Sequence, residues 1–116
     1  MKKLEIIVRP GAAAAVRQAI EVVGYPGITT SQAEGHGTQR GLTQGDQGDK
    51  KKGAYRLEMV AKVRMEVVIP DSAFEEVVEA VVKAARTGQP GDGKIFVSDL
   101  QDVIRIRTGQ RGEQAV

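Results

Sequence analysis

An α+β fold with two helices on one face of a four-stranded sheet is predicted by three features of the chain. Apolar residues alternate at period two in Leu4–Arg9 and again in Val63–Ile69, the pattern of a strand with one buried face. Residues 12–23 and 74–85 switch to helical spacing. Prolines and glycines punctuate the segments, and the resulting order is βαββαβ.

The elements follow in chain order. Leu4, Ile6 and Val8 point one way in the first strand, and Pro10-Gly11 breaks it. In the first helix Ala12, Val16, Ile20 and Val23 form one stripe, and four consecutive alanines supply propensity. Gly24 ends that helix and Pro26 prevents its continuation. A second strand is expected over Ile28–Glu34. The stretch from Gly35 to Gly53 is almost without apolar residues, and a loop that long in a small domain is usually functional. In the third strand Val63, Met65, Val67 and Ile69 share one face, with Lys62, Arg64, Glu66 and Val68 on the other. Pro70-Asp71 stops it. Ser72-Ala73-Phe74-Glu75 has the form of a capping box. Phe74, Val77, Val78, Val81 and Ala85 make the buried stripe of the second helix, opposite Glu75, Glu79 and Lys83. A fourth strand region begins at Ile95–Val97, is interrupted by Ser98-Asp99 and is expected to resume pairing over Val103–Arg107. This is the ferredoxin-like layout. The uncovered sheet face is then either wet or buried by other subunits.

The chemistry concentrates near the C-terminus. The turn Gly91-Asp92-Gly93-Lys94 allows close approach of backbone N–H groups to an anion and carries a lysine. Alternation in Val103-Ile104-Arg105-Ile106-Arg107 predicts Ile104 and Ile106 turned to a core and both guanidiniums turned away from it. Three cations and a run of donors suggest a polyphosphate site. The same residues also fit a solvated strand face beside an ordinary helix-to-strand loop.

Composition narrows the classes. The 116 residues fit one domain, 1–116, and its limited core makes oligomerisation a reasonable route to stability. No apolar stretch is long enough to span a membrane, and no signal peptide is expected before the first strand, which points to the cytoplasm. With no cysteine there is no disulfide, thiolate metal site or cysteine nucleophile, and a single histidine cannot build a His-rich zinc site. A net charge of +2 and 3% aromatic residues argue against nucleic acid. No Ser-His-Asp set exists, so enzymatic activity is not expected beyond an incidental slow ATPase promoted by cationic clamps.

Several long motifs resemble the PII signal-transduction family of nitrogen regulation. They are Thr87-Gly88-Gln89-Pro90-Gly91-Asp92-Gly93-Lys94-Ile95-Phe96-Val97, Val103-Ile104-Arg105-Ile106-Arg107-Thr108-Gly109, Ile7-Val8-Arg9-Pro10 and Gly35-His36-Gly37-Thr38-Gln39-Arg40-Gly41. The resemblance implies a compact homotrimer with ATP or ADP in each cleft between subunits. It also implies a T-loop, here about 37–55, that docks on a target protein such as a transporter or metabolic enzyme. Contact with a membrane would be only indirect, through a transporter. A polar tail, about 108–116, closes the chain.

Matched residue by residue, the resemblance implies that Gly37 and Thr38 lie near the phosphates and that Thr29, Glu66 and Val68 line the adenine pocket. Gly91, Asp92, Gly93 and Lys94 form the phosphate loop, and Arg105 and Arg107 reach the phosphates from the neighbouring subunit. Gln39 would meet Mg²⁺ and 2-oxoglutarate, Lys62 the distal carboxylate, and Arg40 the second-ligand region. The T-loop centre, Gly45-Asp46-Gln47-Gly48-Asp49-Lys50-Lys51-Lys52, lacks the family's usual Leu-Tyr-Arg-Gly run. Tyr55 falls near the family's modified tyrosine, but its neighbours differ. That divergence keeps open an inorganic-carbon sensor that binds ADP or AMP with bicarbonate.

Overall fold

The computed structural model describes residues 1–40 and 55–116, with side chains for 1–36 and 60–116. The elements are β1 (Lys2–Val8), α1 (Pro10–Val23), β2 (Thr29–Arg40), β3 (Tyr55–Ile69), α2 (Phe74–Ala85) and β4 (Lys94–Asp99). The sheet order is β2-β3-β1-β4, with antiparallel neighbours throughout. β1 and β2 therefore run parallel with β3 inserted between them, which is the split βαβ arrangement expected from the sequence.

The two periods meet in one core. Leu4, Ile6 and Val8 of β1 and Met65, Val67 and Ile69 of β3 face Val16 and Ile20 of α1 and Val77 and Val81 of α2. Each is essentially removed from water, worth ~1.5–3 kcal/mol for a fully buried aliphatic side chain. Gly24 terminates α1 as predicted. It adopts φ 124°, and its N–H donates to the carbonyls of Ile20 and Glu21. Among the described residues, no helix is long and apolar enough to cross a membrane.

The face away from the helices is polar at its centre. Register places Glu5 of β1 opposite Glu66 of β3 and Phe96 of β4, and Thr29 of β2 opposite Glu66. Arg64 holds the two carboxylates apart, at 3.1 Å from Glu5 and in direct contact with Glu66, while Lys3 lies 3.6 Å from Glu66.

Three expectations are corrected. β2 extends through residues 35–40, where the scarcity of apolar residues predicts a loop. Backbone pairing from Thr29↔Glu66 to Arg40↔Tyr55 does not require apolar side chains. Tyr55 accordingly opens β3, while the Lys50–Lys52 run lies outside the described residues. The capping box does not form. A 3-10 turn at Asp71–Ala73 puts Ala73 at the N-cap of α2, and no side chain caps that end. Lastly, Val103–Arg107 is not a strand, and Ser98 and Asp99 continue β4 rather than interrupt it. Pairing along β1 is used up at Lys2↔Asp99, and the N–H of Leu100 donates to the carbonyl of Met1. The chain then folds back on itself, with Ile104 bridged to Arg111. Ile104 and Ile106 are 53% and 98% exposed, so neither enters this chain's core.

Candidate functional site

The first cluster lies where β1 ends, on the loop joining α2 to β4. Gly91 and Gly93 adopt φ 99° and 107°. A Cβ on Gly93 would stand 1.9 Å from the carbonyl oxygen of Ile7, so only glycine lets the loop lie against β1. A Cβ on Gly91 would crowd the Arg9 guanidinium at 2.9 Å. The loop is organised from within by Asp92. One of its oxygens accepts from Arg9 Nη1 at 2.8 Å and from the Thr87 hydroxyl. The other accepts from the N–H groups of Thr87 at 2.7 Å and Gly88 at 2.9 Å. These bonds, led by the Thr87 hydroxyl and backbone, hold the Asp92 carboxyl well below the usual carboxylate range.

Cations surround this loop. Arg9 Nη2 donates to the carbonyl of Pro90 at 2.6 Å, and Lys62 Nζ donates to the carbonyl of Gly91 at 3.1 Å. Arg86 and Lys94 border a separate, mainly apolar cavity of about 260 Å³ on the helix side of the sheet, lined by Ile6, Val8 and Val81. The one carboxylate in the loop is already committed to Arg9 and Thr87, so the local balance is positive. A glycine cradle with this charge fits a phosphate chain.

The second cluster lies towards the other end of β3. Glu66 is four residues beyond Lys62 on the same sheet face, or ~13 Å along the strand. Thr29, Glu66 and Val68 border a cavity of about 460 Å³ together with Tyr25, Val103 and Val116. The loop after Val103 carries Arg105, half-buried, and Arg107, exposed. Among the described residues, no hydrogen bond joins either arginine to the Gly91–Lys94 loop. Arg105 Nη1 instead donates to Gln110 Oε1 at 3.2 Å.

The structure thus brings the expected site residues into two groups, Lys62 with Gly91–Lys94 and Thr29 with Glu66 and Val68. Gly37, Thr38, Gln39 and Arg40 are placed only by backbone, in β2 opposite Glu58, Leu57, Arg56 and Tyr55, so the metal expectation for Gln39 concerns a side chain outside the described residues. Sequence reasoning gave no role to Arg9 or Thr87. A cation ending the first strand and a hydroxyl opening the glycine-rich loop were the available signals.

The chain is similar to known proteins over nearly its whole length. The family described as "Nitrogen regulatory protein P-II" matches residues 1–110. Nitrogen regulatory protein P-II of Mesorhizobium japonicum is 45% identical over 116 residues, covering all of both chains. Nitrogen regulatory protein P-II 2 of Methanothermobacter thermautotrophicus is 40% identical, covering 100% of this chain and 97% of its own. Among solved structures, B. subtilis GlnK aligns with a TM-score of 0.78 at 31% identity, covering 99% of this chain and 97% of that one. The B. subtilis GlnK–ATP complex aligns with a TM-score of 0.81 at 30% identity, covering 99% and 94%. With a family match over nearly the whole length and full-length relatives at these identities, the chain belongs to the nitrogen regulatory protein P-II family.

Proposed function

We propose that this chain is a non-enzymatic regulator in nitrogen and carbon metabolism, acting in the cytoplasm as a homotrimer. It binds ATP or ADP in clefts between subunits and acts on a target protein through the segment 37–55. The observation that carries the reading is the separation of the two clusters within one chain. The glycine cradle with Lys94 suits phosphates, with Lys62 beside it for a second ligand, while Thr29, Glu66 and Val68 suit a base, with Arg105 and Arg107 on the adjoining loop. Two copies side by side would complete the site, one supplying the cradle and the other the base pocket and arginines. Exposed Ile104, Ile106 and Phe96 favour such packing, because apolar side chains of this size gain from burial. The solved GlnK–ATP complex supports an adenine nucleotide as ligand. Mg²⁺ would be held between the phosphates and the Gln39 amide, with 2-oxoglutarate as a further effector ligand.

Calorimetry with ATP, ADP and AMP, each with and without Mg²⁺, 2-oxoglutarate and bicarbonate, tests the reading. Lys94→Ala and Arg107→Ala should each weaken nucleotide binding by ~1.5–3 kcal/mol, the scale of a hydrogen bond to a charged group. Unchanged ATP and ADP affinity in folded trimers of both variants removes the proposal.

A further inference from the structure

We propose that Asp102 is a positioning residue for nucleotide binding, a clasp at the neck of the 102–112 loop that fixes Arg105 and Arg107. The proposal rests on the reading above that these arginines hold phosphates. Both carboxylate oxygens are used. Oδ1 accepts from the N–H of Val103 at 2.8 Å and of Gly112 at 3.1 Å, and Oδ2 accepts from Arg111 Nε at 2.9 Å. One side chain therefore joins the residue that enters the loop to the two that leave it.

Among the described residues, no other side chain joins the two ends of the loop at its neck. Ile104 and Ile106 are exposed and give it no apolar anchor within the chain. The other ties lie further up the loop or in its backbone: Gln110 Oε1 accepts from Arg105 Nη1 at 3.2 Å and from the Thr108 hydroxyl at 3.3 Å, Gln110 N–H donates to the Thr108 hydroxyl at 3.2 Å, and backbone bonds run from Arg105 N–H to the Gln110 carbonyl at 2.9 Å, Gly109 N–H to the Arg105 carbonyl at 2.7 Å and Gly112 N–H to the Val103 carbonyl at 3.0 Å. Closing the neck removes conformational freedom before any ligand arrives, so the guanidiniums bind phosphate with less ordering cost. The same clasp sets the course of the tail, whose Val116 borders the cavity beside Thr29 and Glu66. An amide could not replace the carboxylate, because its NH₂ would face the Arg111 guanidinium. Burial of the Asp102 carboxyl opposes its charge, but the N–H groups of Gly112 and Val103 and then Arg111 outweigh this and lower its pKa.

The test is a double-mutant cycle on ATP affinity, measured by calorimetry on wild type, Asp102→Ala, Arg107→Ala and the double variant. Amide exchange at Val103 and Gly112 reports the clasp itself. Asp102→Ala should speed that exchange and raise the ATP Kd about tenfold, while adding no more than about threefold in the Arg107→Ala background, because residues acting as one unit are not additive. Arg111→Ala removes one arm of the clasp and should raise Kd about threefold, carrying the test if Asp102→Ala does not fold. Additive losses overturn the proposal, as does wild-type ATP affinity in Asp102→Ala with the neck shown open. If wild type binds no ATP, or Arg107→Ala binds it normally, the proposal falls together with the reading it rests on.

Discussion

Arg9 and Asp92, 83 positions apart, form the ion pair that seats the glycine-rich loop on the end of β1. The guanidinium is used as a fork, with Nη1 on the Asp92 carboxylate at 2.8 Å and Nη2 on the Pro90 carbonyl at 2.6 Å. A lysine, as a point charge on a flexible stem, could not hold both.

Arg9→Ala should therefore loosen the loop without removing any group assigned to the ligand. The expected loss of ATP affinity is about 1 kcal/mol, modest because the pair is partly solvated. Arg9→Lys should recover less than half of it. Faster amide exchange at Thr87 and Gly88 with an unchanged core would accompany the loss, and ATP binding unaffected by Arg9→Ala would show that the loop holds its shape without the fork.

The acid response of this loop has a definite sign. The folded pKa of Asp92 is depressed below its ordinary value of 3.8, so its contribution to stability is fully present above 3.8 and is lost as pH falls through the folded value. Asp71, held by the N-terminal ammonium at 3.0 Å, and Asp102 shift the same way. Stability should be flat in these three groups at neutral pH and decline only in strong acid. Carboxyl-carbon NMR titration checks this. An Asp92 midpoint at or above 3.8 would contradict the bonding described.

Gly93 and Gly88 separate steric from conformational demand. Both have positive φ, 107° and 85°, but a Cβ on Gly88 meets nothing within 4 Å, whereas one on Gly93 would strike the Ile7 carbonyl. Gly88→Ala should cost about 1–2 kcal/mol, the penalty of a left-handed conformation alone. Gly93→Ala adds displacement of β1 backbone and should cost at least ~3 kcal/mol. Urea midpoints measure both, and equal losses would mean that the loop yields at Gly93.

Most of the fold was legible because period and punctuation agree. Met65, Val67 and Ile69 were assigned to the core by alternation, and Val77 and Val81 by helical spacing. The tight turn at Gly91–Lys94 was legible from glycine chemistry. Alternation misled at Val103–Arg107, since a continued β4 needs partner residues to pair with, and β1 ends at Lys2 opposite Asp99. The Asp102 clasp could not be read from sequence because its partners, Arg111 and the Gly112 N–H, become neighbours only when the loop folds back. Composition likewise hid the extension of β2, whose residues 35–40 pair with β3 along the backbone.

The last prediction concerns the second ligand. Lys62 Nζ sits 3.1 Å from the Gly91 carbonyl, so the lysine expected to meet a distal carboxylate already touches the phosphate loop. On the proposed function, 2-oxoglutarate should tighten Mg-ATP binding and leave ADP binding unchanged, because the γ-phosphate would help hold the metal that the 2-oxoacid would chelate. The coupling must be reciprocal, so Mg-ATP should raise 2-oxoglutarate affinity by the same factor. Lys62→Ala should abolish the coupling. It should weaken ATP binding alone by no more than about 1 kcal/mol, the scale of the single Lys62–Gly91 hydrogen bond. Paired titrations in both orders measure the coupling. If 2-oxoglutarate has no effect while bicarbonate shifts ADP or AMP affinity, the inorganic-carbon reading takes the place of this one. The Lys62–Gly91 contact would then link bicarbonate, rather than a 2-oxoacid, to the phosphate loop.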